Sequence, residues 1–266
     1  VCPFYNEEKI IDTAVKLMIE NLKRLDDEWE LVIVNDGSMD RSAEIAHRLE
    51  ACEPRLRVEG YARNQGRGHA LRTGIRAARG DIIVTTEIDC SWGDDIVERL
   101  AAAMKNNPKA DIVVASPHLP GGGYKNVPLK RVFFSTVGNI IIRTFFTYSV
   151  TMNTGMTRAY RKHVFDVIDT IEKGKEFHLE VLQKALTFRF NIIEIPCILE
   201  WRDLELVADP CAAPRKSSSK VGKIVKSHIG FSLFANPVRY FWAAAALLFI
   251  ISLGFFGFGT YRFFTH

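Results

Sequence analysis

Short apolar runs that break off into polar turns are the strongest constraint on this chain. LVIVND (31–36), DIIVTTE (81–87) and ADIVVAS (110–116) share this form, each rich in β-branched residues. The stretches between them carry apolar residues at helical spacing. These are Ile11, Val15, Leu17, Met18 and Leu22 within 8–25, and Ala43, Ile45, Ala46 and Leu49 within 40–49. Leu71, Ile75 and Ala78 follow within 69–78, then Ile96, Val97, Leu100 and Met104 within 94–104. Strand and helix in alternation predict an α/β domain on a mostly parallel sheet. Ligands of such sheets bind beyond the carboxyl ends of the strands. Asn6-Glu7-Glu8, Asn35-Asp36-Gly37-Ser38 and Glu87-Ile88-Asp89 should therefore gather on one edge.

The other end of the chain has a different character. From Phe241 to Tyr261 no side chain is charged, with Arg239 and Arg262 on either side and Tyr240, Trp242 and Tyr261 near the ends. About twenty helical residues cover about 30 Å, the thickness of a hydrocarbon core. A transmembrane helix over 240–262 is expected, anchored by aromatic residues at both interfaces. Arg215, Lys216, Lys220, Lys223 and Lys226 precede it and little basic charge follows, so the large N-terminal part is expected on the cytoplasmic side of the membrane.

The 266 residues suffice for one core and an appendage, and the net charge of +4 calls for no nucleic-acid partner. Five cysteines are odd in number and scattered, without metal-ligand spacing; reduced thiols in a cytosolic compartment are expected. The chain starts at Val1 inside a strand-like run, and a piece truncated at both ends is expected.

Five motifs stand in order: PFYNEE (3–8), VNDGSMD (34–40), NQGRGHALRTG (64–74), ARGDIIVTTEID (78–89) and NTGMTRAYRK (153–162). Together they resemble the inverting GT-A family-2 glycosyltransferases, most closely the dolichyl-phosphate mannose synthase and polyprenyl-phosphate glycosyltransferase group. The resemblance runs from the first residue to about Lys226. It implies a Rossmann-like GT-A nucleotide-sugar domain over 1–203, with an amphipathic interface helix at 129–150. An acceptor loop, basic segment and second interface helix would fill 204–238.

The implied roles follow the motifs. Asp36 would hydrogen-bond the base or ribose of a GDP- or UDP-hexose, as a carboxylate accepting two donors suits. The plain alternative is an Asx turn, with Asp40 opening the next helix. Asn35 replaces a usual aspartate. Pro3, Tyr5 and Glu7 would also face the nucleotide sugar, as would Glu87 and Ile88. Gly66 and Gly68 permit close backbone approach beside a helix N-terminus that favours anions. Glu87-Ile88-Asp89 stands where the family has Asp-x-Asp. Asp89, helped by Glu87 and Ser91, would hold Mg²⁺ or Mn²⁺, hard cations that take oxygen ligands and bridge phosphates. Asp94 and Asp95 precede an apolar helical pattern and read as caps.

Within 130–150, Arg131, Ser135, Asn139, Arg143 and Thr147 recur every fourth residue beside Phe133, Phe134, Val137 and Ile140 to Ile142. That is an apolar helix with one narrow polar edge, a pattern that fits a core helix as well as an interfacial one; the downstream span and the interface helix that the resemblance implies place it at a membrane interface. Arg143, Thr154, Arg215, Ser219 and Lys220 would grip the phosphate of a polyprenyl acceptor, with Arg143, Arg215 and Lys220 counted alongside Glu87 and Asp89 in catalysis. Glu180 matches a family acidic position near the acceptor, and His178 reads as positional. The expected activity is hexose transfer, mannose or glucose, to a dolichyl or undecaprenyl phosphate. Its alternatives are a GT-A transferase acting on a hydroxyl, and an inactive nucleotide-sugar-binding relative.

Overall fold

A computed structural model of the chain describes residues 1–143, 150–202 and 237–265. Two compact units divide the chain, Val1–Val221 and Gly222–His266.

In the first unit the alternation holds. β1 (Cys2–Phe4), β2 (Leu31–Asn35) and β3 (Leu56–Gly60) pair in parallel, in the order β1-β2-β3. α1 (Ile11–Leu22) and α2 (Ser42–Glu50) make the two connections. α3 (Arg67–Ala77) leads to β4 (Ile82–Thr85), and α4 (Ile96–Asn106) leads to β5 (Ile112–Ser116). β1 meets β4 at its start: the Val1 amine donates to the Val84 carbonyl at 2.7 Å and Thr86 N–H donates to the Val1 carbonyl at 3.1 Å. Hydrogen bonding therefore runs from β3 across to β4.

β4 does not pair with β5. β7 (Arg158–Arg161) lies between them, antiparallel to both, and β8 (Ile192–Pro196) extends the sheet in parallel beyond β5. The expectation of a mostly parallel sheet is met around this one reversed strand. RAYR is short, with polar ends, and shows neither alternation nor a long apolar run, although Arg158 and Tyr160 are fully buried. β6 (Gly123–Lys125) and β9 (Ile198–Glu200) form a small separate ribbon.

The core lies on both faces of the sheet. Ile11, Val15 and Leu22 of α1 pack with Cys2, Ile33 and Leu56. Leu100 and Met104 of α4 pack with Ile112, Val113, Tyr160 and Leu182. The last of these belongs to α7 (Phe177–Thr187); between β7 and α7 lies the one-turn α6 (Val164–Val167). Cys2, Cys90 and Cys197 are free and buried, and Cys52 is free and exposed.

α5 (Leu129–Ile142) covers the first part of the expected interface helix, and Arg143 is its C-cap residue. Its amphipathicity runs opposite to that of a helix packed on a core. Leu129, Phe133, Phe134, Val137 and Ile140 are exposed. The polar edge turns toward the protein: Asn139 is buried, Ser135 meets the Tyr124 hydroxyl at 3.3 Å, and the Arg131 guanidinium stacks on Trp201 at 4.6 Å.

The second unit contains α8 (Pro237–Thr265), a helix of 29 residues that covers the uncharged run. Among the fully described residues no helix is long and apolar enough to cross a membrane; several side chains of α8 lie outside that description. The expected acceptor loop, basic segment and second interface helix at 204–238, with Arg215, Ser219 and Lys220, lie outside the described residues apart from the first turn of α8.

Candidate active site

The polar strand ends converge as the topology requires. Beyond β1, Asn6 takes the left-handed conformation (φ 54°), its N–H donates to the Ser38 hydroxyl at 3.0 Å, and its amide oxygen accepts from Met39 N–H at 2.8 Å. Glu7 N–H donates to the Ser42 hydroxyl at 2.7 Å. Asn35 accepts from Ser38 N–H at 2.9 Å, so this departure from the family pattern closes its own turn. Asp40 accepts from Ser42 N–H at 3.0 Å and from Glu8 N–H at 3.2 Å in the turn before α2, whose N-cap residue is Arg41. Tyr5 is exposed at the rim, Pro3 is buried within β1 opposite Val34, and Glu7 is half-buried.

Asp36 is buried and saturated. One carboxylate oxygen accepts from the Tyr61 hydroxyl (2.6 Å), Gln65 N–H (2.9 Å) and Gly66 N–H (3.0 Å). The other accepts from Asn64 Nδ2 (3.0 Å) and from Gly66 N–H (3.1 Å). A carboxylate offers about four acceptor sites, so this one is used up inside the protein. Burial, and then the bond to Asp36, push the Tyr61 phenol above its ordinary pKa and keep it a donor. In this structure Asp36 organises the loop that leads into α3.

Gly66 and Gly68 do allow a close approach, and a neighbouring segment uses it. A Cβ on Gly66 (φ 98°) would stand 2.5 Å from the Lys173 carbonyl oxygen, and one on Gly68 would stand 2.6 Å from that of Glu172. Gly68 N–H donates to the Lys173 carbonyl at 2.8 Å. Backbone from residues 172–174 therefore sits at the α3 N-terminus, the helix end that was expected to favour an anion.

The second acidic group follows β4. Glu87 and Asp89 are half-buried, and Ser91 is buried between them. The Ser91 hydroxyl donates to Glu87 Oε2 at 3.2 Å, and its N–H to Asp89 Oδ1 at 3.2 Å. Arg67, next to Gly66, reaches Glu87 Oε1 at 3.4 Å. Consecutive residues of one loop thus touch Asp36 and Glu87, which brings the two acidic groups to one edge. The Ile88 side chain packs in the core with Cys2 and Phe4, leaving only its backbone to face a ligand. Among the described residues no group of three or more His, Cys, Asp or Glu side chains gathers for a metal. Two carboxylates and a hydroxyl, all hard oxygen donors, nevertheless fit a Mg²⁺ or Mn²⁺ ion that completes its shell with substrate phosphates and water.

Asp94 and Asp95 need a correction. Asp95 stands at the N-cap of α4, but no side-chain bond caps that helix. Asp94 instead pairs with Arg202 at 2.5 Å, a residue 108 positions away. On the acceptor side, Thr154 is exposed and its hydroxyl lies 3.5 Å from Asn139 of α5, while Asn153 N–H donates to the Asn139 side chain at 2.8 Å. Arg143 is exposed beyond α5. Glu194 holds this loop through Thr151 N–H (2.8 Å) and Met152 N–H (3.0 Å). Glu180, buried, is spent on Ile171 and Glu172 N–H and on Lys184. His178 is buried with neither ring nitrogen hydrogen-bonded, and burial holds its pKa well below the ordinary value. Glu194 and the contacts of Glu180 are the site features that the sequence alone did not bring out.

A cavity of about 450 Å³ lies elsewhere, lined by Val1, Trp29, Leu31 and Ile82 where β1, β2 and β4 begin. Thr86, Cys90 and Asp94 also line it, so the cavity reaches the loop that carries Glu87 and Asp89, although neither of those two lines it.

Residues 1–169 match the model of glycosyl transferase family 2. The chain belongs to that family. Among curated relatives of this family-2 chain, a polyprenol monophosphomannose synthase of Mycolicibacterium smegmatis is 26% identical over 211 residues, 77% of either chain. Glycosyltransferase AglD of Haloferax volcanii is 28% identical over 205 residues, 76% of this chain and 32% of the relative. A dolichyl-phosphate beta-glucosyltransferase, ALG5C, of Trichomonas vaginalis is 32% identical over 141 residues, 49% of this chain and 42% of the relative. The chain thus spans less than half the length of the last two. Among solved structures, the glucosyl-3-phosphoglycerate synthase of Mycobacterium tuberculosis with Mn²⁺, UDP and phosphoglyceric acid aligns at TM-score 0.64 and 16% identity, over 88% of this chain and 76% of its own. The same enzyme with Mg²⁺ and UDP aligns at 0.63 and 17% identity, over 88% and 77%. These likenesses establish the α/β GT-A-like fold.

Proposed function

We propose that this family-2 glycosyltransferase moves a hexose, mannose or glucose, from a GDP- or UDP-sugar to a polyprenyl phosphate at a membrane, with inversion. Two of the relatives carry polyprenol monophosphomannose or dolichyl phosphate in their names, which supports the acceptor class. The observation that carries the reading further is α5. A helix with Phe133, Phe134 and Ile140 exposed and its polar edge turned to the protein suits a lipid surface. The uncharged run 241–261 supports the same reading by its length alone, which is about that of a bilayer span. The basic residues before it favour a catalytic unit on the cytoplasmic side.

The chemistry follows from the acceptor. A monoester phosphate has its second pKa at about 6 and is mostly a dianion at pH 7. Its oxygen forms the new bond to the anomeric carbon as the bond to the nucleoside diphosphate breaks on the opposite face. The electron pair leaves with the diphosphate, and no proton has to be removed. Glu180 and Glu194, committed to backbone amides, are consistent with a reaction that uses no general base. Asp89, Glu87 and Ser91 would hold a divalent ion, which when bound would supply positive charge for the leaving diphosphate. Arg143 and Thr154, with Arg215, Ser219 and Lys220 outside the described residues, would hold the acceptor phosphate.

The test is transfer by purified full-length chain in detergent, with Mn²⁺ or Mg²⁺, dolichyl or undecaprenyl phosphate, and radiolabelled GDP- and UDP-hexoses. One donor should yield a labelled, chloroform-soluble glycolipid. Transfer only to sugar or protein hydroxyls would favour the hydroxyl-directed alternative. Nucleotide-sugar binding without turnover would mark an inactive relative.

A further inference from the structure

The loop that leads into β7 is gripped by two charged side chains from the sheet. Val114 of β5 stands opposite Arg158 of β7 on one side and opposite Glu194 of β8 on the other. Residues opposite one another across a ladder project from the same face, so guanidinium and carboxylate rise from one face with their Cα atoms about 10 Å apart. Both turn to residues 151–153. Glu194 accepts from Thr151 N–H at 2.8 Å, from the Thr151 hydroxyl at 2.9 Å and from Met152 N–H at 3.0 Å. Arg158 donates to the Asn153 carbonyl at 2.7 Å and, with its other terminal nitrogen, to the His178 carbonyl in the first turn of α7 at 2.7 Å. Ser116, at the end of β5, meets the Thr151 hydroxyl at 2.6 Å.

The next amide is taken by α5. Asn153 N–H donates to the Asn139 side chain at 2.8 Å, and the Asn139 amide nitrogen lies 3.5 Å from the Thr154 hydroxyl. Three successive N–H groups and the carbonyl after them are thus held by side chains of β7, β8 and α5. A connecting segment ordinarily opens at little cost; this one cannot move without leaving charged groups unpaired. Arg158 is fully buried and Glu194 half-buried. Stability is a weak reason for such an arrangement, because taking a guanidinium out of water is costly and a well-packed apolar side chain is often no less stable. What the charge supplies is geometry. A planar guanidinium committed to two carbonyls sets the loop and the start of α7 at one separation.

We propose that Arg158 and Glu194 are positioning residues for the acceptor phosphate. They fix 151–153, and so hold Thr154 and, through Asn139, the polar edge of α5 in place before the acceptor arrives. Neither has to touch the acceptor. An acceptor that meets an ordered loop loses no affinity in ordering it. This role rests on the reading of Thr154 and α5 as the acceptor side.

Two measurements that need no turnover test it: calorimetric titration of farnesyl phosphate into full-length protein in detergent, and hydrogen exchange over 150–154. Arg158→Met and Glu194→Met should each weaken farnesyl phosphate about tenfold and speed exchange of the Thr151, Met152 and Asn153 amides, with UDP and GDP affinity within twofold of wild type. Glu194→Gln, which keeps an acceptor oxygen, should restore most of the affinity. Arg158→Lys, which cannot span both carbonyls, should not. If burial makes the Arg158 variants unfold, the half-buried Glu194 and its two variants decide the matter. Farnesyl-phosphate affinity within twofold of wild type in Glu194→Met would overturn the positioning role, whatever the exchange rates. Turnover lost in Glu194→Gln with farnesyl-phosphate affinity intact would also overturn it, and make the carboxylate a base. A wild type that binds no farnesyl phosphate would remove the acceptor class and this role together. Farnesyl phosphate weakened by Glu194→Met, in a protein that transfers no sugar, would instead remove the glycosyltransfer reading and leave the positioning role standing.

Discussion

Two acidic groups stand at the ends of β2 and β4, on either side of β1, and are used differently. Asp36, after β2, is buried and takes five contacts from Tyr61, Asn64, Gln65 and Gly66. Glu87, after β4, is half-buried and takes two long ones, from Arg67 at 3.4 Å and Ser91 at 3.2 Å. A carboxylate whose lone pairs are satisfied inside the fold stabilises the loop around it. One held by long contacts at the surface can exchange them for a ligand. A carboxylate at the same kind of position is thus a keystone in one place and open to exchange in the other.

The largest effect expected from this difference is at Asp89, beside Glu87. Asp89→Ala should cut transfer by on the order of 10²–10³, with a thermal midpoint near that of wild type. Wild-type turnover, or full activity in excess chelator, would remove the metal role. Asp36→Ala should behave in the reverse manner and lower stability by about 3 kcal/mol, because buried donors at Tyr61, Gln65 and Gly66 lose their acceptor. Urea unfolding measures this directly; an unchanged midpoint together with abolished nucleotide binding would mean that Asp36 serves the ligand and not the loop. Tyr61→Phe, which removes a single donor from Asp36, should cost about 1 kcal/mol in the same assay. Smallest is Asp94→Ala, which loses a partly exposed pair with Arg202 and should cost at most about 1 kcal/mol, with activity kept.

The difference between the two groups also marks what can be read from sequence. The β-branched runs, the turn after Val34 and the spacing of Glu87 and Asp89 are local signals, and the structure places them as expected. The convergence of strand ends follows from sheet topology alone. What stayed hidden is nonlocal. Arg72 meets Glu172 across 100 positions, Arg202 meets Asp94 across 108, and Arg67 meets Glu87 across 20. Asp94 reads as a cap because helix starts favour aspartate, but a distant arginine takes its carboxylate. Gly66 and Gly68 announce a close approach without saying what approaches, and the answer is the backbone of 172–174. β7 is short and buries an arginine, a pattern that no strand periodicity predicts. In α5 the polar stripe is legible, while its turn toward the protein depends on partners such as Tyr124, Thr154 and Trp201.

The central claim is that the Glu87–Asp89 edge, and not Asp36, engages the metal and the diphosphate. Calorimetric titration of UDP and GDP into the full-length protein, with Mn²⁺ or with chelator, tests it most directly when wild type is compared with Asp89→Ala. The account predicts that one nucleotide binds wild type with Mn²⁺, that chelator weakens it at least tenfold, and that Asp89→Ala shows the weak value in either condition. Equal affinity in wild type and Asp89→Ala, unaffected by chelator, would contradict it.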